Sequence, residues 1–206
     1  MDRQLYQYCL GTKNRPRTER GKAVQQLISA ALNSETDGDD ALLKALAAVL
    51  SDSSVLEADT FQLLKPLHGC GGSESYVLEV DRAVESGFWK SLAARFPGHQ
   101  GLVYIAADAA LLAGDREAAR RLFINGVRLD PSTCPPYAVD WQELLRGTEW
   151  HFEYRLHLLA QSRGDDQTLR EMSAELASEC HDEPDKLRLI DAVARGAAVP
   201  QLAGPA

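Results

Sequence analysis

Apolar residues recur along most of this chain at spacings of three and four, which is the period of an amphipathic helix. Residues 18–32 follow that period, and residues 102–112 and 116–129 repeat it farther along. No stretch alternates apolar and polar residues as a half-buried strand would, and β-branched residues are sparse. The pattern therefore predicts an all-α fold of about ten or eleven helices.

Proline, glycine and polar clusters set the predicted boundaries. The predicted helices cover about residues 19–32, 41–50, 55–64, 75–86, 88–96, 102–112, 116–129, 137–145, 149–162, 166–178 and 185–194. Pro66 is expected to end the third helix, and the loop HGCGGS that follows makes 66–73 a possible internal boundary. We expect residues 1–17 to be a basic arm, 18–195 a helical domain and 196–206 a flexible tail.

The clearest helical hairpin runs from residue 102 to residue 131. Gly114 can adopt the backbone of a tight turn, and the Asp115 carboxylate can accept hydrogen bonds from the first free N–H groups of the next helix. That helix should end at Asp130, because the residue before Pro131 is forced out of the helical conformation. The apolar spacing predicts that a shared set of residues is buried here: Ala107, Ala119, Phe123 and Val127.

This hairpin resembles the tetratricopeptide repeat, a 34-residue helix–turn–helix unit with an A-x3-F motif and a proline eight residues later. Ala119, Phe123 and Pro131 stand at those spacings, and the resemblance covers residues 100–133. It implies a right-handed superhelix of antiparallel helical hairpins, since one hairpin cannot bury its own apolar face. The alternative is an irregular helical domain with a single repeat-like hairpin.

The resemblance also implies a function and a site. In such repeats the first helix of each hairpin lines a groove, which here would hold Tyr104, Asp108 and Leu111. Asp108 would repel a peptide carboxylate, and a basic or apolar helical segment of a partner protein suits the acidic body of the chain better. The expected function is therefore a protein–protein interaction module, such as an adaptor, chaperone or assembly factor. Asp108→Lys should weaken partner binding and leave stability nearly unchanged.

Charge is distributed unevenly along the chain. Residues 1–22 hold six lysines and arginines against two acidic residues, so the total of −8 leaves −12 for residues 23–206. An acidic body argues against nucleic acid as a partner. It also permits an alternative function, an acidic inhibitor or immunity-type protein that masks a basic partner. The sequence does not indicate an oligomeric state.

Hydropathy and cysteine spacing bear on location. No apolar run approaches the roughly 20 residues that span a bilayer, and the first 20 residues lack the apolar core of a secretory signal. The four cysteines are far apart in sequence, which is typical of reduced thiols and not of a disulfide framework. We therefore predict a cytoplasmic protein with no membrane partner.

Three groups of residues contain side chains that could catalyse a reaction or bind a metal. Cys70 lies on the glycine-rich HGCGG loop, where a thiol could serve a helical enzyme as nucleophile. The pairs His68/Cys70 and Cys180/His181 lack zinc-site spacing. The acidic turn 33–44 lacks the final glutamate of a calcium loop, since Lys44 stands there. The sequence thus predicts no metal, no cofactor and no catalytic residue, and an enzyme is the less favoured alternative.

Overall fold

A computed structural model describes residues 1–11, 16–33, 38–69, 76–133 and 139–202. Within these residues the chain forms eleven α-helices and no strand, so the predicted all-α class is confirmed. The helices are α1 (Arg3–Leu10), α2 (Glu19–Asn33), α3 (Asp39–Leu50), α4 (Ala58–His68), α5 (Arg82–Arg95), α6 (Gln100–Leu112), α7 (Arg116–Leu129), α8 (Val139–Leu145), α9 (Glu149–Gln161), α10 (Asp166–Glu179) and α11 (Pro184–Ala194). None of the described helices is long and apolar enough to cross a membrane.

The chain divides into two compact units, Met1–Ala119 and Arg120–Ala206. In the first unit α5 packs most extensively on α6, while α2 packs on α3 and α1 packs on α4. In the second unit α9 packs on α8, α10 and α11, and α10 packs on α11. The stacking of hairpins into a superhelix stays a prediction.

Three predicted helix starts are confirmed by their caps. Thr18 Oγ1 accepts a hydrogen bond from the Gly21 N–H at 3.0 Å at the start of α2. Asp115 Oδ1 accepts from Ala118 N–H at 3.1 Å, and the preceding Gly114 has a φ of 81°, a left-handed backbone that favours glycine. Asp165 starts α10 in the same way. These side chains satisfy N–H groups that have no partner within the helix.

The predicted end of the third helix is wrong. Pro66 lies inside α4, which begins at Ala58 and continues to His68. Proline removes one backbone hydrogen bond. The loss is offset here by packing, because Pro66 and the following Leu67 are both buried. The extra turn places His68 at the end of a helix, where the sequence predicted a loop.

The prediction of two helices over residues 75–96 is also wrong. A single helix, α5, covers the second part of that stretch, and its N-terminus is capped by Asp81, whose Oδ1 accepts from Ala83 N–H at 2.8 Å. Val77 and Leu78 are buried in a non-helical segment that precedes it. Gly87 does not interrupt α5, since a helix interior tolerates glycine at a cost of about 1 kcal/mol.

Burial of the predicted hairpin core is confirmed. Ala107, Ala119, Phe123 and Val127 are each fully buried. The Phe123 ring stacks on Trp141 with centroids 4.4 Å apart and meets Tyr154 edge-on at 5.5 Å. Such aromatic pairs stabilise a core beyond the area that they bury.

The segment predicted as a basic arm contains a helix that the sequence pattern did not predict. Tyr6 of α1 is buried, and its hydroxyl donates to the Leu63 carbonyl at 3.1 Å. Burial raises the pKa of Tyr6 to about 12. Farther along, Asp59 Oδ2 accepts from the N–H groups of Arg17 and Thr18 at 2.7 and 2.9 Å. The segment is thus bonded to α4 at two places.

The prediction of reduced thiols is wrong for Cys9. Cys9 is disulfide-bonded. Cys180 is a free, buried cysteine. Distance along the sequence does not limit which cysteines meet in space, so the wide spacing was a poor guide. Disulfides persist mainly in oxidising compartments, so one support for a cytoplasmic location is lost.

Candidate functional site

Helix α6 is apolar on both of its faces, but only one of them is buried. The buried face consists of Leu102, Val103, Ala106, Ala107, Ala109 and Ala110. The other face, which we call the α6 surface, consists of Tyr104, Ile105, Asp108, Leu111 and Leu112. At about 100° per residue these five residues span an arc of about 120°. The first four are half-buried, and Leu112 is 41% exposed. All three predicted site residues therefore lie on one accessible face.

Asp108, which is the one charged residue of α6, is held in place by a histidine. His68 Nε2 lies 2.8 Å from Asp108 Oδ2, and His68 Nδ1 lies 3.0 Å from Glu85 Oε1. The imidazole is thus clamped between two carboxylates. The His68 and Glu85 side chains are 8% and 2% exposed, whereas Asp108 keeps 33% of its side chain accessible. Of these three side chains, Asp108 is therefore the one that is accessible to solvent.

Glu85 organises the buried end of this cluster. The indole N–H of Trp89 donates to Glu85 Oε1 at 3.3 Å, and the Arg82 guanidinium donates to Glu85 Oε2. Arg82 in turn lies over the Tyr76 ring, 3.6 Å from its centroid. A buried carboxylate is tolerated when it is paired and hydrogen-bonded, and Glu85 satisfies both conditions. We call His68, Arg82, Glu85, Trp89 and Asp108 the His68 cluster.

The cluster holds His68 in its charged form. Burial lowers the pKa of His68, but the hydrogen bonds to Asp108 and Glu85 raise it more, to about 9. Two cations, His68 and Arg82, therefore face two carboxylates at neutral pH. A protonated imidazole cannot accept a proton, so His68 does not serve as a general base for a thiol near neutrality. Cys70, the nucleophile of the enzyme hypothesis, lies outside the described residues.

Sequence reasoning missed the His68 cluster because it divided α5 in two. On one continuous helix Glu85, Trp89 and Leu92 stand at i, i+4 and i+7, so the carboxylate lies on the buried face. A charged residue in register with a buried stripe is a signal for an internal partner. The sequence pattern places the partner, His68, in a loop, where it is a candidate zinc ligand only.

None of the other predicted candidates belongs to the His68 cluster. Burial raises the pKa of the Cys180 thiol, which keeps it protonated and poorly nucleophilic. It lines a cleft of about 350 Å³ with His151, Arg155 and other residues of the second unit. His181 is exposed and lies 2.9 Å from the Asp182 carboxylate. In the acidic turn, residues 34–37 lie outside the described residues, and Asp39 accepts from the Glu79 N–H at 2.6 Å.

Comparison of the chain with protein-family models, with curated proteins and with solved structures finds no significant match. The tetratricopeptide resemblance therefore stays a prediction that rests on Ala119, Phe123, Pro131 and the turn before them. The observations that bear on function are the α6 surface and the charges that surround it.

Proposed function

We propose that this protein is a protein–protein interaction module, an adaptor, chaperone or assembly factor that binds a helical segment of a partner on the α6 surface. The observation that carries the proposal is the composition of that surface. Tyr104, Ile105, Leu111 and Leu112 surround one fixed carboxylate and remain accessible. Contiguous accessible apolar residues with a polar group among them are typical of interaction sites.

The chemistry of the surface favours a basic amphipathic helix. Its apolar residues would pack against Tyr104 and Leu111, and a lysine or arginine would reach Asp108. A carboxylate has about four acceptor positions, so Asp108 can bond a second cation while Oδ2 stays with His68. Because His68 already fixes the Asp108 side chain, little conformational entropy is lost on binding. The acidic charge of residues 23–206 attracts such a partner at long range.

A photo-crosslinking amino acid in place of Tyr104 tests the site in the native host. The matched control carries the same group in place of Val55, which belongs to the same unit, lies outside α6 and is 65% exposed. We expect an adduct with a defined partner from position 104 and none from position 55. Adducts from both positions, or from neither, would contradict the proposal.

Binding of the purified partner then separates this function from its alternatives. Tyr104→Ala and Leu111→Ala should each raise the Kd at least tenfold, since central apolar contacts dominate the binding energy of interfaces. The control, Val55→Ala, should change the Kd less than twofold. An acidic inhibitor that masks a basic partner by overall charge would show a strong salt dependence and little effect of either variant. A helical enzyme would instead lose an activity on Cys70→Ser with partner binding unchanged.

A further inference from the structure

The segment that follows α11 is bound along the second unit. Helix α11 ends at Ala194, and Gly196, with a φ of 112°, redirects the chain. The Ala197 N–H bonds to the Ala192 carbonyl at 2.9 Å, which completes a common helix-ending motif. Residues 197–202 then have no regular secondary structure. The sequence predicted a flexible tail over 196–206, and its mobility stays a prediction.

The backbone of Leu202 is held at two points by a buried ion pair. The Leu202 N–H donates to Glu153 Oε2 at 3.0 Å, and Arg128 Nη2 donates to the Leu202 carbonyl at 3.0 Å. In an extended chain the N–H and C=O of one residue point to the same side, so two such groups recognise one residue of an extended strand. This is the hydrogen-bonding pattern of peptide recognition through the main chain.

Arg128 and Glu153, which we call the clamp, also bond to each other without the segment. Arg128 Nε and Nη2 donate to the two Glu153 oxygens at 2.6 and 2.8 Å. The Glu153 side chain is fully buried, and the bonds that it accepts lower its pKa although burial opposes them. Charge-assisted, two-point pairs of this kind are among the strongest hydrogen bonds in proteins. We therefore expect both groups to keep their positions when Leu202 leaves.

Two side chains of the segment cover an apolar surface. Val199 and Leu202 pack against the core cluster of the second unit. That cluster comprises Phe152, Leu156, Leu159, Leu176, Cys180, Ile190 and Val193. The Arg163 guanidinium donates to the carbonyl of Ala197 at the other end of the segment, and also to the carbonyl of Val193 in α11. The surface thus holds the Val-Pro-Gln-Leu segment by two apolar contacts and by the two main-chain hydrogen bonds of Leu202.

We propose that the Arg128–Glu153 pair and the apolar cluster form a peptide-binding groove, and that residues 199–202 are its internal ligand. The external ligand is an extended segment of a partner protein with a similar apolar-Pro-x-apolar sequence, which binds when the internal one is displaced. The segment has the features of a displaceable ligand: Val199 and Leu202 are only half-buried, and Ala197, Ala198 and Gln201 are exposed. This site is independent of the α6 surface.

The test uses the full chain and a labelled, end-capped peptide of sequence AAVPQLAG, which corresponds to residues 197–204. Leu202→Asp should displace the internal segment, because a carboxylate is not tolerated on the apolar cluster beside Glu153. We expect the peptide to bind this variant at least tenfold more tightly than the parent chain, in which the groove is occupied. A peptide N-methylated at the leucine amide, and a peptide with aspartate at that leucine, should each bind at least tenfold more weakly.

Absence of peptide binding to a Leu202→Asp chain that keeps its helical circular dichroism would overturn the proposal. Equal binding of the N-methylated peptide would overturn the role of the clamp. Hydrogen exchange on the parent chain gives a second measurement in case Leu202→Asp does not fold. The Leu202 amide should exchange at least a hundredfold faster than the Leu156 amide, since displacement is a local opening. Equal exchange rates, or a dimer that forms by exchange of the segment between two copies, would contradict a partner-protein ligand.

Discussion

Raising the pH should lower the stability of the first unit, because His68 loses its proton. Its imidazole is buried between Glu85 and Asp108, and its pKa in the folded chain is about 9 against about 6.5 in an unfolded chain. A group whose pKa is raised on folding contributes its full stabilisation below the unfolded pKa. That stabilisation is lost as the pH rises through the folded pKa. The free energy of unfolding should therefore fall between about pH 6.5 and pH 9.

The size of the effect follows from the pKa difference. Each pKa unit corresponds to about 1.4 kcal/mol, so the difference between about 6.5 and about 9 sets an upper limit of roughly 3 kcal/mol. Asp108 is one-third exposed, and solvent screens its interaction with His68. We therefore expect a loss of about 2 to 3 kcal/mol across this range.

Urea unfolding at several pH values between 6 and 10 measures this loss. His68→Gln is the matched control, because glutamine can bond one of the two carboxylates but does not titrate. The free energy of unfolding of the parent chain should fall as the pH rises. The control should not show the loss that is attributed to deprotonation of His68. A nuclear magnetic resonance titration of the His68 ring gives its pKa directly.

A His68 pKa at or below 6.5 would show that burial outweighs the two carboxylates, and the cluster would then be neutral at its centre. The same conclusion would follow if His68→Gln kept the full pH dependence. Because the units can unfold separately, the transitions should first be checked with two independent probes.

Two further predictions concern stability. Phe123→Ala should lower the free energy of unfolding by about 3 to 5 kcal/mol, because it leaves a cavity beside Trp141 and Tyr154 in the second unit. If the variant unfolds at the same urea concentration as the parent, Phe123 does not contribute to the hairpin core. Thermal unfolding with and without a chelator should give the same melting temperature, since a metal bound to the native state would raise it; a clear drop with chelator would contradict the absence of calcium and zinc sites.

Periodicity was sufficient to predict the class of fold and most of the helices. The cap residues Thr18, Asp115 and Asp165 were readable because capping depends on a side chain and the next three residues. Pro66 misled the prediction because its local preference was overridden by tertiary packing. Around Pro66 the packing of Leu67 compensates for one missing hydrogen bond, and no local pattern reports that compensation.

The site was predictable only in part, for a related reason. Helical spacing placed Tyr104, Asp108 and Leu111 on one face, and the structure brings them together there. It could not show that Asp108 already has a cationic partner, His68, which is 40 residues away in sequence. The Leu202 contact with Glu153 spans 49 residues and was equally invisible. Contacts between distant side chains depend on how the helices pack, and local sequence patterns do not reveal that packing.

The partner of Asp108 changes which substitution can test its role in binding. Asp108→Lys looked neutral for stability from the sequence, but it would place a second cation beside the buried, protonated His68 and so would destabilise the first unit. Asp108→Asn is the better variant, because the amide oxygen still accepts the His68 hydrogen bond and only the charge is lost.

The contact between Asp108 and His68 also couples partner binding to protonation of His68. A partner cation at Asp108 would lower the pKa of His68, and by reciprocity the loss of the His68 proton would strengthen the binding of that cation. Partner affinity that rises from pH 7 to pH 10 in the parent chain, but not in His68→Gln, would therefore connect the α6 surface to the His68 cluster.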